Sequence, residues 1–266
     1  MPGQETGLAR SRPIEASWRS STARAEPVAA RANRPDELLG RKREHETLRD
    51  SMDAVTRTGR VVVVTGATWM GKTRLLEDLA AEAGSRGSHV MFGRAYRMEQ
   101  GLPYGVVTQM LRNALPLIKS VIAEIPGWAL TEMTRLIPEL GPAPLAASDR
   151  FGELRLYEGV HAVLKALTES RRLVLLIDDI QWIDPASAGL IAYIARRISE
   201  TPILLTMASR VGEPMLDPVA DLVRAADVVL AVEPLNAEDL LIPCNSPAST
   251  TSWVSLPRTH RRLSTI

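Results

Sequence analysis

The chain has 266 residues, 45% of them hydrophobic, and a formal net charge of +1 at pH 7. That length holds one large domain or two small ones, and the near-zero charge argues against a nucleic-acid coat or a membrane-surface protein. A single cysteine, Cys244, excludes an internal disulfide framework and a cysteine-based zinc cluster, and no apolar run reaches the ~18 residues of a membrane span.

Residues 1–34 are rich in Arg, Ala, Ser and Pro and lack the apolar core of a signal peptide. Glu5, Glu15 and Glu26 argue against a transit peptide, which avoids acids. Residues 1–35 therefore read as a disordered leader, and the cytoplasm is the expected compartment.

Leu48, Met52 and Val55 recur at helical spacing and predict a helix over 42–57. The valines of 61–64 begin a first strand over 61–65. A helix then starts near Gly71 and is expected to end at Gly84 and Gly87. Residues 89–95 read as a second strand. The stretch 104–170 is mostly helical, divided by Pro116, Pro126 and Pro138, with a loop at Gly141-Pro142-Ala143-Pro144. Asp149 is the expected N-cap of a long helix whose apolar face is Leu154, Val160, Val163, Leu164 and Leu167.

A third strand covers 173–178, and Asp184-Pro185 supplies the N-cap and first position of the next helix. Residues 203–208 form a fourth strand, 217–225 a helix and 228–232 a fifth strand. Strands that alternate with helices, without polar alternation inside them, predict an α/β fold with a parallel sheet covered on both faces. Asn236 to Asp239 resembles a further helix start, but Pro243 interrupts it. Half of residues 243–266 are Ser, Thr or Pro, so 241–266 reads as a disordered tail. His260-Arg261-Arg262 in that tail reads as solvated basic charge.

The segment Gly66-Ala67-Thr68-Trp69-Met70-Gly71-Lys72-Thr73 reads G-x-x-x-x-G-K-T and follows the valine run directly. This is the P-loop pattern in its required context, a buried strand entering a helix N-terminus. Its glycines let backbone N–H groups turn toward phosphate oxygens, and the helix dipole favours the anion. Lys72 is expected to reach the β/γ-phosphates of ATP and the Thr73 hydroxyl to ligate Mg²⁺.

Leu173-Val-Leu-Leu-Ile-Asp178-Asp179 is an apolar strand ending in acids, the Walker B pattern. Asp178 would hold Mg²⁺ through water. Asp179 could orient or deprotonate an attacking water, or stabilise the following loop. Trp182 is read as packing and Asp184 as a helix cap. Arg210, at the end of the fourth strand, would approach a γ-phosphate if that strand lies between the first and third. Otherwise it is a surface arginine.

These residues together resemble a family. Leu38-Leu-Gly40-Arg41-Lys-Arg-Glu44-His-Glu-Thr-Leu48 is similar to the "L-x-G-R-x-x-E-x-x-x-L" segment of a group of AAA-like and STAND-type ATPases, at the matching distance before the P-loop. Leu175 to Ser187 is similar to the same group's "L-D-D-x-x-W-x-D-x-x-S", and Val232-Glu-Pro234-Leu235 to its closing "L-x-P-L". The combination is that of the ATPase module of large ATP-binding LuxR-type regulators and of origin-recognition-like AAA modules. It covers roughly residues 36–240.

The resemblance implies a P-loop NTPase fold, a three-layer sandwich with a five-stranded parallel sheet in the order 2-3-4-1-5 and a helical insertion between strands 2 and 3. It implies that Gly40 and Arg41 lie near adenine and ribose, that Arg210 senses the γ-phosphate, and that the ATPase acts as a switch controlling assembly and transcription. Family members continue into a helical lid, a winged helix, repeats and a DNA-binding helix-turn-helix. Here the likeness stops near Leu241, and a truncated, frameshifted or fragmentary member is expected. Bulky Trp69 and Met70 also depart from the usual small P-loop residues.

The leading expectation is an ATP-binding, ATP-hydrolysing regulatory module over 36–240 with Mg²⁺ as cofactor. The alternatives are a non-catalytic nucleotide-binding scaffold or remnant and a P-loop phosphotransferase. ATP and ADP are the expected small-molecule partners, with protein partners or self-association besides. No helix-turn-helix with a basic recognition face is visible, so direct DNA binding is not expected, nor is a membrane.

Overall fold

The computed structural model describes residues 40–142 and 151–235. The expected leader, the tail with its helix start and basic residues, and Asp149 lie outside these residues.

The apolar runs become strands, β3 (Leu173–Asp178) and β5 (Val228–Val232) with the bounds read from sequence, and β1 (Arg60–Gly66), β2 (His89–Arg94) and β4 (Ile203–Arg210) each differing by a residue or two. They form one parallel sheet in the order β2-β3-β4-β1-β5. That is the α/β P-loop NTPase arrangement expected from the resemblance. β4 lies between β1 and β3, the condition on which the reading of Arg210 depended.

Because side chains alternate along a strand, each central strand feeds two cores. Val62 and Val64 of β1, Val174 and Leu176 of β3, and Leu204 and Ala208 of β4 pack on one face. Helices α1 (Lys42–Ala54) and α2 (Lys72–Ser85) cover that face with Leu48, Met52, Leu75, Leu76 and Leu79. The alternate residues, among them Val63, Leu175, Ile177, Leu205 and Met207, face the other core.

The second core is roofed by the segment between β2 and β3 and by two later helices. The segment folds into α3 (Gly105–Asn113), α4 (Leu115–Ser120), α5 (Gly127–Met133) and α6 (Gly152–Thr168). Pro116 stands in the first turn of α4, where its missing N–H costs no helical bond, and Pro126 is the N-cap residue of α5. The later helices are α7 (Pro185–Arg197) and α8 (Asp217–Arg224), which adds Val219 and Leu222. The expected helical insertion is thus present. No helix among the described residues is long and apolar enough to cross a membrane.

Several sequence readings need correction. α1 stops at Ala54 rather than residue 57, because Val55 turns extended and is buried in the core. Gly84 lies inside the last turn of α2. It is Gly87, at φ 77°, that lets the chain leave, with Ser88 N donating to Ala83 O. Leu154 does not belong to the buried stripe of α6; it is exposed, and Leu156 takes its place. The stripe 156-160-163-164-167 keeps a three-or-four spacing, which puts residue 154 on the opposite side. β5 is an edge strand with alternating exposure, and Val229 faces outward, so the sheet is not covered on both faces at that edge.

One close approach ties the insertion to the sheet. A Cβ on Gly93 of β2 would stand 2.4 Å from Met110 Cγ of α3, so only glycine lets the helix lie this close. Next to it, the Arg94 backbone N–H donates to Gln109 Oε1 at 2.9 Å.

Candidate functional site

In an open parallel sheet, ligand-binding residues collect beyond the carboxyl ends of the strands. Here β1 ends at the P-loop, β3 at Asp178, β4 at Arg210 and β2 at Arg94. Register sets them side by side. Gly66 pairs with Arg210 across β1 and β4, and Arg94 pairs with Asp178 across β2 and β3.

Between β1 and α2, Ala67, Thr68 and Trp69 are exposed and Met70 is partly covered. Gly71 takes φ 86°, a left-handed conformation suited to glycine, and directs the chain into α2. Trp69 takes φ 67° as well, although it carries a large side chain that is 96% exposed. Lys72 is buried at the start of α2, and its Nζ donates to Gly66 O at 2.9 Å and Ala67 O at 2.7 Å. Burial, with the nearby positive charge of Arg210, pushes the Lys72 ammonium below the usual lysine value.

Thr73 Oγ1 donates to Asp178 Oδ2 at 2.7 Å, joining the P-loop helix to the end of β3. Asp178 is only 1% exposed. Burial raises its pKa above the ordinary carboxylate value, outweighing the Thr73 hydrogen bond and the Arg94 charge. Two hard oxygen donors therefore face one point. Among the described residues, no cluster of His, Cys, Asp or Glu could hold a metal unaided. An ion here would take its remaining ligands from phosphate oxygens and water, a donor set suited to Mg²⁺.

Asp179 adopts the left-handed conformation, φ 53°, which a short acidic side chain tolerates. Both of its oxygens are engaged. Oδ1 accepts from Arg210 Nε at 3.2 Å and Gln181 Nε2 at 3.0 Å. Oδ2 accepts from Arg94 Nε at 3.3 Å and Nη2 at 3.2 Å. Gln181 also accepts the Arg210 backbone N–H at 3.2 Å, which fixes the end of β4 against the loop after β3. Arg210 is thus part of the cluster, not a detached surface arginine.

Arg94 escaped the sequence reading. Its Nη2 lies 3.1 Å from Asp178 Oδ2 and 3.4 Å from Thr73 Oγ1. Burial opposes its charge, but Asp178 and Asp179 carry the guanidinium above its ordinary pKa. One signal could have found it: a cation ending an apolar strand in a sheet whose other strand ends bear the motifs. Gln181 was likewise read only as part of a motif.

Gly40, at φ 78°, and Arg41 stand at the entrance to α1. Arg41 is buried, and its Nη2 donates to Met70 O at 3.2 Å and Glu233 O at 2.6 Å, while Nη1 pairs with Glu44 at 2.7 Å. It braces the P-loop against the chain leaving β5. The structure thus gathers Lys72, Thr73, Asp178, Asp179, Arg210 and Arg94 in one cluster, with Arg41 tied to it through Met70.

Comparison with known proteins adds an independent line. A model of the AAA ATPase domain family matches residues 37–206. An uncharacterized protein of Rhizobium meliloti (strain 1021) is 29% identical over 195 residues, a match covering 65% of this chain and 18% of that protein. This chain therefore spans under a fifth of that relative's length. Among solved structures, the Aeropyrum pernix ORC1 protein in complex with DNA is similar with a TM-score of 0.47 and 21% identity, over 77% of this chain and 48% of that one. AMPPCP-bound DnaA from Aquifex aeolicus is similar with a TM-score of 0.42 and 13% identity, over 76% and 48%.

Proposed function

The chain belongs to the AAA ATPase domain family, and on that footing we propose that it is a regulatory ATPase module that binds ATP with Mg²⁺ between the P-loop and the end of β3. The family implies nucleotide binding. The observation that carries the fuller reading is the 2.7 Å contact between Thr73 and Asp178, which joins the Walker A and Walker B segments at one oxygen-lined point. Lys72 would exchange its two P-loop carbonyls for phosphate oxygens, and Arg210 would stand toward the terminal phosphate. Arg41 would support the base end of the site from behind the P-loop. Mg²⁺, when bound, would neutralise phosphate charge beside Thr73 and Asp178.

The finer parts of the reading rest on sequence likeness. The segments around Gly40-Arg41 and Asp178-Asp179-Ile-Gln-Trp182 support a STAND-type switch related to LuxR-type transcriptional regulators. We take the ATPase core as residues 36–240 and the cytoplasm as its compartment.

A second reading, nucleotide binding without turnover, is favoured by one feature. Asp179 has both oxygens committed to cations and an amide, which leaves it poorly disposed to deprotonate water. ATP binding and phosphate release by the purified chain, beside Lys72→Ala, separate the two. Loss of the charged Lys72 contacts should weaken ATP binding about 10- to 100-fold. Tight binding without phosphate release selects the second reading. Phosphate release that survives Lys72→Ala refutes the proposed site.

A further inference from the structure

Arg94 occupies a position that the sequence motifs do not assign. One of its terminal nitrogens, Nη2, reaches three oxygens at once: Asp178 Oδ2 at 3.1 Å, Asp179 Oδ2 at 3.2 Å and Thr73 Oγ1 at 3.4 Å. Two of these three oxygens are the donors that suit a divalent cation. A guanidinium is permanently charged and donates only, so it satisfies those oxygens electrostatically as a metal would.

We propose that Arg94 competes with the divalent cation for Asp178 and Thr73, and that Mg²⁺ enters only as the guanidinium leaves them. This rests on the reading of that pair as the metal site.

Three features fit a displaceable group. The Arg94 side chain is partly exposed, whereas Asp178 is not, so the arginine has somewhere to go. Its Nε and Nη2 both also engage Asp179, so it can leave Asp178 and Thr73 while keeping a carboxylate partner. Its backbone is fixed by β2 pairing and by Gln109, which confines the change to the side chain. A dication at the shared oxygens and a guanidinium touching the same oxygens repel each other at close range, so the two occupancies exclude one another. The arginine thereby sets a threshold on cation affinity and keeps both acids paired with a cation when nucleotide is not engaged.

The test is Mn²⁺ binding to the full chain in the presence of ADP, followed by electron paramagnetic resonance. Arg94→Ala should tighten Mn²⁺ binding at least fivefold, Arg94→Lys should fall between, and Asp178→Asn should weaken it. Circular dichroism checks folding, and if the alanine variant does not fold, Arg94→Lys and Arg94→Gln carry the comparison. Unchanged or weaker Mn²⁺ binding on loss of the guanidinium overturns the competition while leaving the metal site standing. Wild-type binding no tighter than that of Asp178→Asn overturns the metal site and the competition with it. A direct readout is the Arg94 Nε–H resonance, identified by its absence in Arg94→Ala. It should move when Mg²⁺ is added to the ADP complex, and a stationary signal overturns displacement.

Discussion

Asp184 accepts the backbone N–H of Tyr104 at 2.8 Å, so the carboxylate that begins α7 also begins α3. The same Oδ1 takes the Ser187 N–H at 2.8 Å, and Oδ2 takes the Gly105 N–H at 3.1 Å. One buried side chain thus satisfies free donors at two helix N-termini. Asp184→Ala strands the Tyr104 and Ser187 N–H groups, leaves Gly105 only its 3.2 Å bond to Leu102 O, and should cost about 2–4 kcal/mol, from two lost caps and the donors left behind. Asp184→Asn keeps one acceptor oxygen and should cost roughly half as much. Urea denaturation measures both, and an alanine variant within 1 kcal/mol of wild type would refute the double cap.

Trp69 should be replaceable at a profit to stability. Its φ of 67° costs a side-chain-bearing residue about 1–2 kcal/mol, and its nearly complete exposure returns little packing energy. Glycine removes the strain but adds about 0.5–1 kcal/mol of unfolded-chain entropy. Trp69→Gly should therefore raise stability by up to about 1 kcal/mol, read as a higher urea midpoint with an unchanged slope. A lower midpoint would mean that the indole makes contacts of its own.

Acid should weaken the fold through His161. Its Nε2 is buried without a hydrogen-bond partner among the described residues. Burial, aided by the Arg197 charge, lowers its pKa below the usual value, although Glu158 and Glu200 pull the other way and Lys165 adds to the lowering. The folded state therefore binds fewer protons than the unfolded state near the ordinary histidine pKa of about 6.5. Stability is retained above that value and falls as pH drops through it, until the folded histidine also protonates. The slope is at most about 1.4 kcal/mol per pH unit for each such group. His89, lowered by burial and by Arg171, acts in the same direction. Thermal melts of wild type and His161→Gln from pH 7.5 to 5 should converge at the acid end relative to neutral pH. Parallel curves would remove His161 from the account.

The P-loop and the Walker B strand were legible because their chemistry is local. Val61 to Val64 and Leu173 to Ile177 are continuous apolar runs, and each leads straight into its functional residues. Strand order is not local. Nothing in the periodicity of β4 says that it slips between β1 and β3; that came from likeness to a family. Arg94 was missed for the same reason, since an arginine ending a strand is ordinary until register sets it opposite Asp178. Leu154 was misassigned because its apolar character was given more weight than its position, which lies across the helix from the stripe that Val160, Val163, Leu164 and Leu167 set. The role of Arg41 as a brace depends on carbonyls of Met70 and Glu233, which carry no sequence signal.

The missing side chain at position 93 makes the strand and α3 a single mechanical part. With Met110 resting on the bare backbone and Gln109 holding the next amide, the helix cannot slide without dragging the end of β2 along. The arginine one residue further on rides on that end. A displacement of α3 would therefore bear directly on the end of β2, one residue from the guanidinium that faces the two acids.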